Sequence, residues 1–283
     1  MYSTLIQANA LQNLLLDATQ KIVLIDCRHD LANPQTGAQA YAQGHIAGAR
    51  FANLDTDLSA PKNGKNGRHP LPTREQFAQT LAAWGIDADT QVVAYDAQGG
   101  MFASRLWWML RWCGHAAVAV LDGGLPAWQA AGHALTTDLA SIQPAMFALR
   151  PSLVELVVVE QVEANLSAAQ PRLIVDARSS DRFRGENETL DPVGGHIPGA
   201  VNRFFKDNLQ ADSTFKSPEV LRAEWQAVLE NRAPQQTIMQ CGSGATACHN
   251  YLAMEVAGLS GAGLYAGSWS EWCSDASRPL AIG

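Results

Sequence analysis

Short apolar runs alternate with longer amphipathic segments along the chain. In the second half, RLIVD, TIMQ and GLYAG are short and almost continuously apolar, which is typical of buried parallel strands. Helical patterns lie between them. Strands that alternate with helices of roughly 10–14 residues predict an α/β fold, with a mainly parallel sheet flanked by helices.

Two of the predicted helices have recognisable N-terminal signals. TREQFAQTLAAW begins with Thr73 and Gln76 at the spacing of a capping box. SPEVLRAEWQAVLE begins with Ser217 as N-cap and Pro218 at the first helical position. The pattern therefore predicts where each of these helices starts.

The two halves of the chain repeat one another. KIVLIDCR is echoed by RLIVDAR, and AQGHIAGARF by VGGHIPGAVN. QVVAYDAQGG corresponds to TIMQCGSGAT, and VLDGGLPAW to LYAGSWSEW, in the same order and at similar spacing. Such self-similarity indicates a duplicated domain. We predict one domain at 1–137 and a second at 153–283, joined by a linker at 138–152 that lacks clear periodicity.

Composition restricts the possible functions. The formal net charge is −7, without a Lys/Arg-rich stripe, which argues against a nucleic-acid partner. The N-terminus lacks the basic region of a signal peptide, and no apolar run reaches the ~20 residues of a membrane span. The five cysteines include no CxxC pair, so neither disulfides nor a zinc site is indicated. We expect a cytoplasmic protein without metal, organic cofactor or membrane partner.

The segment MQCGSGATACHN places Cys241 between a predicted strand and a predicted helix. In open parallel sheets, sites lie at the carboxyl ends of strands. Gly242 and Gly244 would let successive backbone N–H groups point inward as an anion-binding nest, and the helix would add its positive end. These features favour a thiolate, the reactive form of cysteine, so Cys241 is a candidate nucleophile.

A buried core thiol is the alternative for Cys241, because cysteine is among the most buried residue types. The first half of the chain argues against this alternative, since Asp96 stands at the corresponding position in YDAQGG. A core position would hardly exchange cysteine for aspartate. A strand-end loop is therefore the better interpretation.

GHIPGA, the loop CGSGATA and the tandem arrangement resemble the two-domain rhodanese-type sulfurtransferases over essentially the whole chain. The resemblance implies a silent N-terminal domain, with Asp96 in place of cysteine, and a catalytic C-terminal domain with Cys241. Thiosulfate-using members resemble Cys-Arg-Lys-Gly in this loop, and members that use 3-mercaptopyruvate resemble Cys-Gly-Ser-Gly, as here. A loop without Lys or Arg also suits a monoanionic keto acid better than a small dianion.

The resemblance implies a reaction and a set of catalytic residues. Cys241 would take sulfur from 3-mercaptopyruvate as a persulfide, release pyruvate, and pass the sulfur to a thiol such as thioredoxin or to cyanide. The Ser–His–Asp relay of the mercaptopyruvate enzymes maps onto Ser243, His69 and Asp55. Such a relay would polarise the keto group or move a proton.

The resemblance also implies substrate-binding residues. Arg182 matches the substrate-binding arginine of the family, and its planar guanidinium suits a carboxylate. The mercaptopyruvate members usually have a second arginine in a Pro-Arg segment, which ENETLDPVGG lacks. Arg184 or Arg105 would then complete the site, and thiosulfate remains the alternative donor. The other predicted positions are Gly242, Gly244, Ala245 and Thr246.

Two other function classes fit less well. Phosphatases of this fold need an arginine six positions after the cysteine, where this chain has Ala247, and their loop is one residue longer. A non-catalytic rhodanese-like binding module would lack the cysteine in both halves, which Cys241 contradicts.

Several polar residues near these motifs are better interpreted as structural. Arg178 follows the strand-end Asp176 by two residues and is predicted to tie the loop to that carboxylate. His45 and His196 occur in both GHI turns, including the one without a nearby cysteine, so we interpret them as determinants of the fold.

Overall fold

Two parallel β-sheets of five strands each organise the chain, which the computed structural model describes from residue 1 to residue 283. Each sheet belongs to a separate unit, and each unit draws segments from several parts of the sequence. The first unit comprises Met1–Ala60, Pro72–Leu153 and Gln210–Phe215, and the second comprises Pro61–Leu71, Val154–Leu209 and Lys216–Gly283.

The first unit alternates strands and helices, and its sheet has the strand order β1-β5-β4-β2-β3 with all pairs parallel. Its elements are β1 (Leu5–Ile6), α1 (Ala8–Leu16), β2 (Ile22–Asp26), α2 (Gln35–Gln43), β3 (Arg50–Phe51), α3 (Arg74–Ala83), β4 (Gln91–Tyr95), α4 (Ala103–Trp112), β5 (Val118–Leu121) and α5 (Gly124–Ala130).

The second unit repeats this topology, with the parallel order β6-β10-β9-β7-β8. Its elements are β6 (Glu155–Val157), α6 (Val159–Leu166), β7 (Leu173–Asp176), α7 (Ser180–Phe183), β8 (Val201–Asn202), α8 (Pro218–Leu229), β9 (Thr237–Gln240), α9 (Ala245–Val256), β10 (Gly263–Tyr265) and α10 (Ser268–Trp272), with 3-10 turns at Phe205–Asn208 and Pro234–Gln236.

The strands at the centre of each sheet are buried along their whole length. All residues of β4, in the first sheet, and of β9, in the second, are buried. Helices cover parallel sheets on both faces, which is why these strands are continuously apolar instead of alternating. The predicted α/β fold with two parallel sheets is confirmed.

Helix starts follow the predicted capping signals. The Thr73 hydroxyl accepts a hydrogen bond from the Gln76 N–H, and the Gln76 side chain accepts one from the Thr73 N–H, so α3 begins with a complete capping box. Ser217 caps α8, with Pro218 in its first turn. Both predictions are confirmed. No helix combines the length and the apolar character needed to span a membrane.

A buried carboxylate ends the corresponding strand in each unit and holds an arginine two residues later. Arg28 donates to Asp26 at 2.6–3.0 Å, and Arg178 donates to Asp176 at 2.6–3.1 Å. Each arginine also donates to the carbonyl of the glycine in the GHI turn at 2.7 Å. The structural interpretation of Arg178 is confirmed.

The histidines of the two GHI turns pack in the same way. His45 stacks on Tyr41 with ring centroids 3.9 Å apart, and His196 stacks on Phe183 at 3.8 Å. The Nδ1 atom of each histidine lies 2.8–2.9 Å from the backbone carbonyl of the same aromatic residue. These contacts close the turn onto the preceding helix, which confirms that both histidines are determinants of the fold.

Candidate active site

Cys241 lies directly after β9, at the carboxyl end of a central strand of the second sheet. This is the position at which open parallel sheets present functional groups. Its side chain is buried, and the residues that follow it turn into α9. The predicted strand–loop–helix arrangement around the cysteine is therefore present.

The first turn of α10 anchors the cysteine loop. The Trp269 N–H donates to the Cys241 carbonyl, and the Ser270 N–H donates to the Gly242 carbonyl, both at 2.9 Å. The Cys241 N–H donates to Ser268 Oγ at 3.0 Å. These bonds hold the two carbonyl oxygens towards α10. The oxygens therefore point away from an anion that the loop would bind.

The sulfur of Cys241 accepts a hydrogen bond from the backbone of its own loop. The Gly244 N–H lies 3.2 Å from Cys241 Sγ. Gly244 has a φ of +83°, a conformation that an L residue with a Cβ adopts only with strain. Ala245 and Thr246 form the first turn of α9, whose N–H groups have no partner within the helix. N–H groups at the start of a helix stabilise a nearby negative charge, which suits a thiolate at this position.

Ser243 and His69 form a buried hydrogen-bonded pair beside the cysteine. His69 Nδ1 lies 2.7 Å from Ser243 Oγ. His69 belongs to the segment Pro61–Leu71, which is part of the second unit. Two of the three residues assigned to a relay are thus in contact.

Asp55 lies in the first unit, after β3, where its carboxylate is 3.9 Å from His29 Nε2. Its role as the third member of a relay stays a prediction. Arg105 lies in α4 of the same unit and donates to the Leu58 carbonyl at 3.1 Å.

Arg182 extends from α7 and binds two carboxylates. Its guanidinium donates to Glu188 at 2.9–3.1 Å and to Asp191 at 3.4 Å. Burial alone would raise the pKa of Glu188, but the hydrogen bonds from Arg182 hold that pKa below its usual range. Arg184, the other predicted arginine of this segment, is more exposed and pairs with Glu186 at 2.7–2.8 Å.

Arg68 is a site residue that the sequence interpretation missed. Its guanidinium donates to the Asp191 carboxylate, and its backbone N–H donates to Ser270 Oγ at 3.0 Å. A Cβ added to Gly242 would lie 2.8 Å from Arg68 Nη2 and 3.5 Å from Arg182 Nη2, so both guanidinium groups face the loop. The sequence feature that could have indicated Arg68 is its position directly before His69.

Ser268 is a second missed residue. It has a φ of +56°, which is unusual for a residue other than glycine, and its hydroxyl contacts the Cys241 backbone. The duplication contains a signal for it, because the corresponding residue of the first half is Gly124, with a φ of +60°. The left-handed conformation of this residue thus occurs in both units.

The equivalent loop of the first unit encloses a carboxylate. Asp96 is fully buried, and its two oxygens accept hydrogen bonds at 2.8–3.0 Å from four backbone N–H groups. The Leu125 N–H donates to the Asp96 carbonyl at 2.8 Å, as the Trp269 N–H does to the Cys241 carbonyl. The loop after this strand is therefore an anion-binding loop, filled here by a side chain of the chain itself.

Cys248 lies on the buried face of α9. Its thiol donates to the Gly244 carbonyl, with the two atoms 3.1 Å apart, and the side chain is fully buried. The thiol thus stabilises the start of the helix.

Comparison with known proteins identifies the family. The family described as "Rhodanese-like domain" matches residues 7–131 and 158–275. A relative from Pseudomonas aeruginosa, named "Probable 3-mercaptopyruvate sulfurtransferase", is 48% identical over 265 residues, 93% of each chain. The thiosulfate sulfurtransferase of Mus musculus is 38% identical over 239 residues, 82% of this chain and 78% of the relative.

A solved structure agrees with these sequence matches. The 3-mercaptopyruvate sulfurtransferase from Leishmania major has a TM-score of 0.82 at 31% identity, covering 95% of this chain and 74% of that one. The chain therefore belongs to the rhodanese family, with one rhodanese-like domain in each half and its candidate nucleophile in the second.

Proposed function

We propose that this protein is a sulfurtransferase that moves the sulfur of 3-mercaptopyruvate, through a persulfide on Cys241, to a thiol acceptor or to cyanide. The observation that carries the proposal is the environment of the Cys241 sulfur. It accepts the Gly244 N–H at the start of α9, and the same loop contains Ser243, whose hydroxyl is in contact with His69 of the segment Pro61–Leu71. The candidate nucleophile, the N–H group that contacts its sulfur and the hydroxyl of the candidate proton-transfer pair thus lie in one short loop.

The first half-reaction forms one bond and breaks one. The Cys241 thiolate attacks the sulfur of the donor thiol, and a sulfur–sulfur bond forms while the carbon–sulfur bond breaks. The electron pair of the broken bond remains on the carbon as the enolate of pyruvate, which then takes up a proton. The product on the enzyme is a cysteine persulfide, whose outer sulfur occupies the anion-binding side of the loop.

We assign to the Ser243–His69 pair the role of polarising the keto group of the donor. With Nδ1 protonated, His69 donates to Ser243, whose hydroxyl hydrogen is then directed towards the keto oxygen of the donor. This hydrogen bond strengthens as the enolate develops, and it provides a route for the proton that pyruvate gains. Asp55 is proposed, from the family pattern, to orient His69.

The second half-reaction returns the enzyme to its thiolate form. An acceptor thiolate, or cyanide, attacks the outer sulfur of the persulfide, the sulfur–sulfur bond breaks, and the electron pair returns to Cys241. We propose thioredoxin-type thiols as protein acceptors, in the reducing cytoplasm. The absence of disulfides among the five cysteines supports that setting.

Thiosulfate is the second candidate donor, and one observation favours it. Arg68 and Arg182 both face Gly242, and cations are what a small dianion requires. Against this, Asp191 and Glu188 bind these guanidinium groups. Their negative charge reduces the positive potential of the site, which favours a donor with a single negative charge.

The test compares kcat/KM for 3-mercaptopyruvate and for thiosulfate on one preparation, with Cys241→Ser as the blank. A preference for mercaptopyruvate of about tenfold or more, worth about 1.4 kcal/mol, is expected. A preference for thiosulfate would contradict the proposed donor. Full activity in the blank would contradict the proposed nucleophile.

A further inference from the structure

We propose that His29 is a positioning residue that holds the Asp55 carboxylate, and that the loop at residues 96–103, called the Asp96 loop, in turn holds His29. The inference rests on the proposed function, because it concerns the carboxylate that is there assigned to orient His69. The first unit, whose loop carries a carboxylate in place of the nucleophile, thereby contributes to the reaction.

The Asp55 carboxylate lies against a buried imidazole of its own unit. His29 Nε2 is 3.9 Å from Asp55 Oδ2, and the His29 side chain is 2% exposed, against 25% for that of Asp55. With a hydrogen on Nε2, the ring presents the positive end of an N–H dipole to the carboxylate, and burial strengthens that attraction. An enclosed ring has few alternative positions, so it can fix the orientation of the more exposed carboxylate beside it.

The Asp96 loop holds His29 at two points. The Phe102 ring meets the His29 ring edge-on, with the ring centroids 5.2 Å apart and an interplanar angle of 74°. The Gln98 side chain donates to the His29 carbonyl at 3.2 Å. The side chain and the backbone of His29 are thus each in contact with one residue of the loop.

The Asp96 carboxylate fixes the two residues that contact His29. One of its oxygens accepts the Gln98 N–H at 2.9 Å, and the other accepts the Phe102 N–H at 2.8 Å. Hydrogen bonds to a buried, charged acceptor are strong, and their loss would leave an unpaired charge inside the unit, so the loop keeps one conformation. A chain of contacts therefore runs from Asp96 through the loop to His29 and on to Asp55, entirely within the first unit.

The duplication shows that the contact between His29 and Asp55 is not required by the fold. Counted from the matching strands β2 and β7, and from β3 and β8, the second half has Ser179 in place of His29 and Lys206 in place of Asp55. A serine and a lysine cannot reproduce the contact of an imidazole with a carboxylate. The histidine therefore accompanies the carboxylate, whereas a determinant of the fold, such as the histidine of the GHI turn, occurs in both halves.

The test measures kcat and KM of His29 variants with 3-mercaptopyruvate and with thiosulfate. His29→Phe keeps an aromatic ring against Phe102 and removes the nitrogen that faces Asp55. It should lower kcat for 3-mercaptopyruvate about tenfold and leave KM within about twofold, because misplaced proton transfer affects the transition state and not the binding of the donor. The thiosulfate reaction forms no enolate, so its kcat should change by less than about twofold. His29→Gln keeps an N–H donor at the end of its side chain and should restore kcat to within about threefold of the wild type.

Two further variants separate positioning from a general loss of folding. His115 is another buried histidine of the first unit, with Nε2 2.9 Å from the Thr90 carbonyl and its ring against Phe147. It precedes β5, at the amino end of that strand, so His115→Phe should lower stability without distinguishing the two donors. Gln98→Ala removes an exposed side chain that anchors the His29 carbonyl, and it should lower kcat for 3-mercaptopyruvate about twofold with the fold intact.

Equal losses with the two donors in His29→Phe, or the same difference between donors in His115→Phe, would overturn the proposal. A kcat of His29→Phe equal to that of the wild type, or no recovery in His29→Gln, would overturn it as well. An unchanged kcat in Gln98→Ala would overturn the part that is assigned to the Asp96 loop.

The result is separable from the proposed function, because the contact between His29 and Asp55 has a spectroscopic signature. In carbon NMR, the carboxyl resonance of Asp55 should move in His29→Phe and stay in place in His115→Phe. If the wild type does not turn over 3-mercaptopyruvate but this resonance moves, the donor assignment is wrong and the positioning contact stands. If turnover is normal and His29→Phe matches the wild type in kcat and in this resonance, the sulfurtransferase assignment stands and the role of His29 is wrong.

Discussion

Ser243 Oγ lies 2.7 Å from His69 Nδ1, and both side chains are buried. These residues are far apart in the sequence, yet they meet beside the cysteine loop. A hydrogen bond between a hydroxyl and an imidazole next to a thiol is a means of moving one proton, which the proposed enolate requires.

Ser243→Ala should lower kcat/KM for 3-mercaptopyruvate about 100-fold, the contribution expected of one positioned proton-transfer group. Transfer from thiosulfate, which forms no enolate, should change by less than about threefold. The measurement is steady-state kinetics with both donors. Ser260→Ala, at an exposed position after α9, is the control. Equal losses with the two donors would mean that Ser243 supports the loop and does not act on the keto group.

Cys248→Ala should keep sulfur transfer within about threefold of the wild type, whereas Cys241→Ser should abolish it. The Cys248 thiol is fully buried and bonded to the Gly244 carbonyl, so its loss should lower the free energy of unfolding by about 1 kcal/mol. Chemical denaturation and a persulfide assay measure the two effects. Loss of persulfide in Cys248→Ala would contradict the structural role of this thiol.

Gly244→Ala should both destabilise the protein and slow alkylation of Cys241. A residue with a Cβ at a φ of +83° costs about 1–2 kcal/mol, and relief of that strain would displace the N–H that contacts the sulfur. Gly199→Ala is the matched control, because Gly199 has a φ of +79° in the same unit and no atom within 4 Å of an added Cβ. Both variants should lose stability, and only Gly244→Ala should lose reactivity. Equal reactivity in both would contradict a role for the Gly244 N–H.

The ratio of the rate constants with which iodoacetate and iodoacetamide alkylate Cys241 should rise as the pH is lowered, because only iodoacetate carries a carboxylate that Arg68 can bind. Burial raises the pKa of Asp191, so this carboxylate takes up its proton at a higher pH than an ordinary aspartate and then releases Arg68. The charged or titratable groups that face Asp191 are Arg68, Arg182, Glu188 and Cys273. The hydrogen bonds from Arg182 hold the pKa of Glu188 below its usual range, so Glu188 takes up its proton at a lower pH than Asp191 does.

The ratio cancels the titration of the Cys241 thiolate, because both reagents attack the same species. In Asp191→Asn the ratio should be high and independent of pH. The control is Arg232→Gln, which changes a surface arginine that pairs with Glu230, and it should follow the wild type. A ratio that rises equally in Asp191→Asn would assign the pH dependence to another group.

The strand–loop–helix position of Cys241 could be predicted because its signals are local. Apolar runs, glycines and capping residues act within a few neighbours, and the duplication supplied an internal comparison, with Asp96 at the matching position. The same local signals predicted the caps of α3 and α8.

The bridge from Arg68 through Asp191 to Arg182 could not be predicted in this way. Residues 61–71 contain no helix or strand, so no periodicity indicates that they pack with the second unit. The bridge also depends on the path of the ENETLDPVGG segment, which likewise forms no regular element. Contacts between two irregular segments are set by tertiary packing, and the sequence alone contains only their charges.

The buried Asp96 carboxylate has a consequence for stoichiometry. Its loop is permanently occupied by a carboxylate that belongs to a side chain of the loop itself. That anion can neither leave nor accept another atom, so the first loop cannot turn over. In the proposed reaction, one further sulfur is added to the Cys241 sulfur of the second loop and then removed. We therefore expect each chain to carry one transferable sulfur atom, although it contains two copies of the same fold.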